Sequence, residues 1–135
     1  MANALYDKGR EGFLGGDISW DDDNIKVVLV DGDDYTVNLA THTFLSDIPV
    51  EGRVATSGAL TGKTITAGIA DANDVTIPTV TGDQFEIIVL YKDTGSAATS
   101  RLIAYIDTAT GLPFTPSGGD IMIKWSDDTN KIFKL

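Results

Sequence analysis

Two apolar runs joined by a short polar loop constrain the fold of this chain more than any other feature of it. The first run, residues 83–91, reads DQFEIIVLY, and the second, 101–107, reads RLIAYID. In an extended chain Phe85, Ile87, Val89 and Tyr91 share one face, with Ile88 and Leu90 on the other. Leu102, Ala104 and Ile106 then alternate against Ile103 and Tyr105. Strands with apolar side chains on both faces belong near the middle of a covered sheet. The connecting DTGSAATS, residues 93–100, has the composition of a hairpin loop longer than two residues. The spacing therefore predicts a buried hairpin at the centre of the fold.

The rest of the chain supplies shorter strands. IKVVLV at 25–30 is β-branched and uninterrupted, and the turn DGDD at 31–34 closes it. Tyr35 to Leu39 alternates weakly. Residues 41–48, THTFLSDI, predict one or two helical turns, capped by Thr41 or Thr43 and stopped before Pro49. RVATSGAL, KTITAGIA, DVTIPTV, DIMIKW and KIFKL follow as further strands, separated by Gly, Asp, Asn and Pro turns. Many short strands with regular turn signals predict a mainly β chain, an antiparallel sandwich or jelly-roll-like double sheet of eight or so strands. Residues 3–14, NALYDKGREGFL, predict a short amphipathic helix that Gly9 and Gly12 weaken and Gly15-Gly16 ends. Such a segment either packs on its own sheet or reaches out as an arm. The expected organisation is one domain over 1–135, with an N-terminal arm or helix at 1–16 and the β-sandwich at 17–135.

At 135 residues the chain can bury a core without staples, and with no cysteine it has neither disulfides nor thiolate chemistry. Ten basic against twenty acidic residues leave a formal charge of −10, and the cations stand singly, as at Lys63, Lys92, Arg101, Lys124, Lys131 and Lys134. A field of that sign repels phosphate backbones, so direct nucleic-acid binding is not expected; solubility is the simplest use of the acidity. The apolar runs are too short for a membrane span, and the opening MANALYDKGREG lacks the layout of a signal peptide, which makes synthesis and folding in the cytoplasm the expectation.

The motifs that suggest chemistry are weak. The Asp-rich stretches at 17–23 and 31–34 invite a calcium reading, but DISWDDDNIKVV and DGDDYTVNLATH both lack the glycine and glutamate that an EF-hand loop requires. Solvated Asx turns are the favoured account and an adventitious or structural cation the alternative; no cofactor is expected. Residues 57–64, SGALTGKT, resemble a phosphate loop whose first glycine is serine, and no helix-forming sequence follows. His42 is the only histidine, and no nucleophile-elbow motif accompanies it, so an exposed or capping role is expected rather than a catalytic one. Glu86 reads as a strand-borne carboxylate facing solvent. Trp20 and Trp125 could form a carbohydrate platform, though Trp125 shares a face with Ile121 and Ile123, which points first to a core or an interface.

Taken together, THTFLSDI (41–48), LTGKTIT (60–66), DANDVTI (71–77), IVLYKDTGSAATSRLIAYIDT (88–108) and GGDIMIKWSDDTNKIFKL (118–135) carry a family resemblance, and the opening LYDKGREGFL extends it over most of the chain. The chain resembles the small virion structural proteins of tailed bacteriophages, of the capsid cement or decoration type. The resemblance implies a β-domain on the outer surface of the head, present in many copies and possessing no active site. It also implies contact with the major capsid protein and with its own copies as a dimer or trimer. Neck, tail and minor-head roles stay open, as does a glycan- or receptor-binding module on the virion surface. A small hydrolase is the least favoured reading, because no acid pair or triad is evident. The candidate assembly contacts are the apolar residues set among Gly and Pro: Leu5, Tyr6 and Phe13 in the arm, Leu112 and Phe114 in LPFTPSGG (112–119).

Overall fold

A computed structural model describes residues 3–125 and 131–135. Residues 126–130, inside the closing string of the resemblance, lie outside the described residues, as do residues 1–2. The described chain forms β1 (Ala4–Leu5), α1 (Asp7–Gly15), β2 (Ile25–Val30), β3 (Arg53–Thr56), β4 (Thr64–Thr66), β5 (Ile69–Asp71) and β6 (Val75–Ile77). β7 (Ile87–Lys92), β8 (Leu102–Ile106), β9 (Ile121–Ile123) and β10 (Phe133–Lys134) follow. A five-stranded sheet runs β1-β8-β7-β2-β3, a three-stranded sheet runs β10-β5-β4, and β6 pairs with β9. Every pairing is antiparallel, and the architecture is mainly β and sandwich-like, as the strand spacing predicts.

β2, β7 and β8 are the buried centre, and both faces of their sheet are covered. Ile25, Val27, Leu29, Ile88 and Leu90 point to one face. There they meet Trp20, Leu60, Ala70, Ile77, Ile123 and Trp125, many of them carried by the two smaller sheets. Val28, Val30, Ile87, Val89 and Tyr91 point to the other, against Tyr6, Tyr35, Leu45 and Ile48. That second face is covered by an irregular segment, residues 35–52, whose only regular pieces are the single 3₁₀ turns Leu45–Asp47 and Val50–Gly52. Its backbone is tied down by long-range bonds: Leu45 N donates to Ser100 O at 2.8 Å, Leu102 N to Thr43 O at 2.9 Å, and Asp7 N to Leu39 O at 2.8 Å. Buried irregular backbone is tolerable only when its polar groups find such partners.

Several expectations need correction. The predicted strand-like stretch at 35–39 contains no strand. The helical turn in 41–48 shrinks to Leu45–Asp47 and is not capped by Thr41 or Thr43; Asp47 reaches back instead, accepting from Thr43 N at 2.7 Å and Phe44 N at 3.1 Å. KTITAGIA is not one strand but β4 and β5 joined by the two-residue turn Ala67-Gly68, both at positive φ (53° and 79°). Positive φ at both positions is the type I′ turn, whose twist matches that of the flanking strands.

The alternation of β8 also breaks. Tyr91 pairs with Leu102 and Leu90 with Ala104, so Ile103 is an extra residue in a β-bulge. Ile103 and Ala104 therefore face the strand-covered side together, while Leu102 and Tyr105 face the irregular side. Phe85 likewise joins the strand-covered core rather than the face of Ile87, because β7 begins only at Ile87 and Phe85 is paired separately with Phe114.

The N-terminal helix uses the glycines that the sequence marks as weaknesses. A Cβ on Gly9 would sit 2.8 Å from Leu102 O and 3.0 Å from Ile103 O, so α1 lies against the backbone of the bulge. Gly12 is as tight, with Ile18 Cδ1 at 2.7 Å and Arg101 Nε at 2.8 Å from the same built position. Gly16, at φ 84°, closes the helix as a left-handed C-cap.

Candidate functional site: two apolar grooves and their acidic surroundings

The five predicted contact residues divide sharply. Leu5 is paired into β1 and buried, and Tyr6 is fully buried against β8, so both belong to the chain's own core. This corrects their assignment as outward contacts: the segment 3–15 docks on its own sheet. Asn3 completes the docking by accepting at Oδ1 from Asp107 N and Thr108 N, at 2.9 and 3.0 Å. Phe13 and Leu112 are half-buried against the core, and Phe114 is exposed; Leu112 and Phe114 line a groove.

That first groove has a volume of about 290 Å³ and is lined by Phe85, Ile88, Leu112, Phe114, Ile121 and Met122, among others. Phe114 is held in place by reciprocal backbone bonds with Phe85, each 3.0 Å, and by ring contact at 5.7 Å between centroids. Phe114 is 41% exposed and Met122 66% exposed. The sequence could nominate Leu112 and Phe114; Met122 and the floor at Ile88 come from elements that only the fold brings together.

A second groove, of about 370 Å³, opens where α1 ends and the β4–β5 hairpin projects. Phe13, Ile18, Trp20, Ile65, Phe133 and Leu135 line it. Trp20 forms its base, edge-on to Phe133 at 5.3 Å, with Nε1 donating to Asp71 O at 3.1 Å. Ile65 on β4 is 55% exposed, and neighbouring Leu14 is 85% exposed. Ser19 lines the rim, and its hydroxyl meets Asp21 Oδ1 at 3.1 Å and Asp22 Oδ2 at 3.4 Å. Asp17 and Asp23 reach Arg101 and Lys92, at 3.5 and 3.2 Å, whereas among the described residues Asp21 and Asp22 meet no cation within ion-pair distance.

The remaining candidates have local roles. Asp31, Asp34 and Asp83 place carboxylate oxygens within 4.8 Å of one another, adding to the 31–34 turn an aspartate 49 positions beyond Asp34 that no sequence spacing would single out. Desolvation, then the charges of Asp31, Asp83, Glu51 and Asp33, push the Asp34 carboxyl upward. Glu86 does not simply face solvent: its Oε2 accepts from Gly32 N at 2.8 Å and anchors the turn after β2. In the stretch that resembles a phosphate loop, Ser57 Oγ accepts from Val27 N at 2.9 Å, Lys63 donates to the carbonyl of Asp23, and a strand rather than a helix follows.

His42 is the end of a buried chain. Its Nδ1 receives the backbone N–H of Asn38 at 3.2 Å, so that nitrogen is an acceptor and Tyr35 must donate to it across 2.8 Å. Tyr35 then accepts from Tyr6 at 2.9 Å, which fixes the direction Tyr6 to Tyr35 to His42. Burial, reinforced by Tyr35, pushes the Tyr6 phenol far above its ordinary value, and burial pushes Tyr35 up to about 12. Both phenols stay neutral. The arrangement locks the irregular segment to β1 and offers no exposed nucleophile.

No protein-family model matches the chain, and no curated protein matches it.

Proposed function

We propose that the chain is a non-enzymatic structural protein of a tailed-bacteriophage virion, a cement or decoration protein on the outer head surface. Its partners in this reading are the major capsid protein lattice and sister copies of itself. The family resemblance supplies the identity, and the carrying structural observation is the groove at Leu112, Phe114 and Met122. An aromatic ring pinned by two backbone bonds yet left 41% exposed beside a preformed apolar hollow suits a contact surface. A domain of this build adds many small stabilising interfaces to a shell by mass action.

A glycan-binding module fits less well. Both tryptophans are buried, at 3% and 7% exposure, and their indole N–H groups are committed to Asp71 O and Asn73 O. A stacking platform needs an open indole face.

The test is to count the protein in purified particles by quantitative mass spectrometry against the major capsid subunit. A ratio near one, or a simple fraction of it, supports a shell protein. A dozen copies or fewer moves it to the neck or tail, and absence from the particle sinks the virion reading. Met122→Ser, at a side chain 66% exposed, should lower occupancy on the head while leaving the chain folded.

A further inference from the structure

We infer that the second groove, between α1 and the β4–β5 hairpin, receives a basic peptide segment of a partner protein: large apolar side chains inserted between flanking Lys or Arg. The inference goes beyond the virion reading and does not rest on it, because it concerns a separate surface and follows from charge and shape alone.

Two independent observations carry it. The first is apolar. Phe13, Ile18, Trp20, Phe133 and Ile65 form a concavity of about 370 Å³, room for a few side chains, in the size range of ligand sites. Ile65 stands open on its flank instead of folding inward, at 55% exposure. The second is electrostatic. The rim residue Ser19 collects the carboxylates of Asp21 and Asp22, both exposed, and neither meets a cation within ion-pair distance among the described residues.

The charge also selects the occupant. A second copy would bring its own Asp21 and Asp22, within a chain of net charge −10, against the same rim. An anionic lipid surface or a nucleic acid would be repelled in the same way. A segment that places Lys or Arg opposite Asp21 and Asp22 and a Leu, Ile, Phe or Trp in the hollow beside Ile65 and Phe133 satisfies both halves of the surface. β4 provides a further handle. In the pairing with β5, Ile65 lies opposite Ala70 between the outer pairs, so its N–H and C=O point to the free edge, open to an extended backbone.

The test is an array of synthetic 12-residue peptides in which net charge and apolar content vary independently, probed with the folded chain at low and at physiological salt. Retained peptides are expected to be net basic and to contain at least two large apolar residues. Binding should weaken as salt rises. Ile65→Ser should lower affinity about tenfold, the size of loss expected for a central apolar contact. The double variant Asp21→Asn, Asp22→Asn should lose affinity chiefly at low salt, and both variants should keep the parent melting temperature. Retention independent of peptide charge, equal binding by the variants, or no retained peptide would each overturn the inference. So would sedimentation showing a dimer that Ile65→Ser dissolves, since the occupant would then be a second copy.

Discussion

The two faces of the central sheet are covered in opposite ways, and the contrast separates two methods of stabilising the same strands. On one side, strands β5, β6, β9 and β10 lay Ala70, Ile77, Ile123 and Phe133 over Val27, Leu29 and Leu90, together with both tryptophans. On the other, residues 35–52 lie across Val28, Val30 and Val89 with almost no regular structure, and all four tyrosines of the chain gather there. The strand-covered side is held by apolar volume. The irregular side is held by directed hydrogen bonds to a segment that could not otherwise stay in place.

The largest effect should come from removing volume on the first side. Leu90→Ala should cost about 2–5 kcal/mol in a denaturant titration, since Leu90 is fully buried beneath close-packed side chains. A loss from Tyr35→Phe larger than that from Leu90→Ala would erase the distinction between the faces. Next, Gly9→Ala should cost about 1–3 kcal/mol by driving a methyl against the carbonyls of Leu102 and Ile103, measurable as a lower melting temperature.

On the irregular side the direction of the tyrosine chain predicts an asymmetry. Tyr35→Phe leaves the buried Tyr6 hydroxyl without its acceptor and should cost about 1–3 kcal/mol, whereas Tyr6→Phe removes only the terminal donor and should cost about 1 kcal/mol. Equal losses would mean that the chain runs the other way.

The same side should be the more sensitive to alkali. Burial raises Tyr35 and Tyr91 from 10.0 to about 12, so each folds as the neutral phenol. The stability this confers is complete below pH 10 and is lost as the pH climbs through 12. Melting temperature should therefore hold level up to about pH 10 and fall beyond it, and Tyr35→Phe should flatten the fall. Smallest, and of opposite sign, Ala67→Gly should raise stability by up to about 1 kcal/mol, because an alanine at φ 53° is in backbone that glycine occupies without strain.

Much of the frame was legible from residues alone. Doubly apolar alternation located β7 and β8, β-branched density located β2, and Gly15-Gly16 marked the end of α1. What escaped was decided by contacts distant in sequence. Ile103 looks like any other member of an alternating run; its bulge arises where β8 must pair with β7 and also receive the backbone of α1. Tyr35 reads as part of a feeble strand until its hydroxyl is seen between Tyr6 and His42. Ala67 concealed a hairpin turn because the usual signal there is Asn or Asp before the glycine. Of the contact candidates, Leu112 and Phe114 were nominated by their Gly and Pro neighbours, while Leu5 and Tyr6 were misread because a docked helix and a free arm share one apolar pattern. Ile65, flanked by threonines, gave no sign that it would stand beside Trp20.

The pairing of Ala4 with Tyr105 and of Leu5 with Ala104 has a consequence for synthesis. β1 and α1 are synthesised some hundred residues before the strand they dock on is complete. At about 5–20 residues per second, that segment waits on the order of 5–20 s for the partner of Leu5, Tyr6 and Phe13 to be made. A segment made early is thus among the last to find its place, and its apolar side chains stay uncovered until β8 follows.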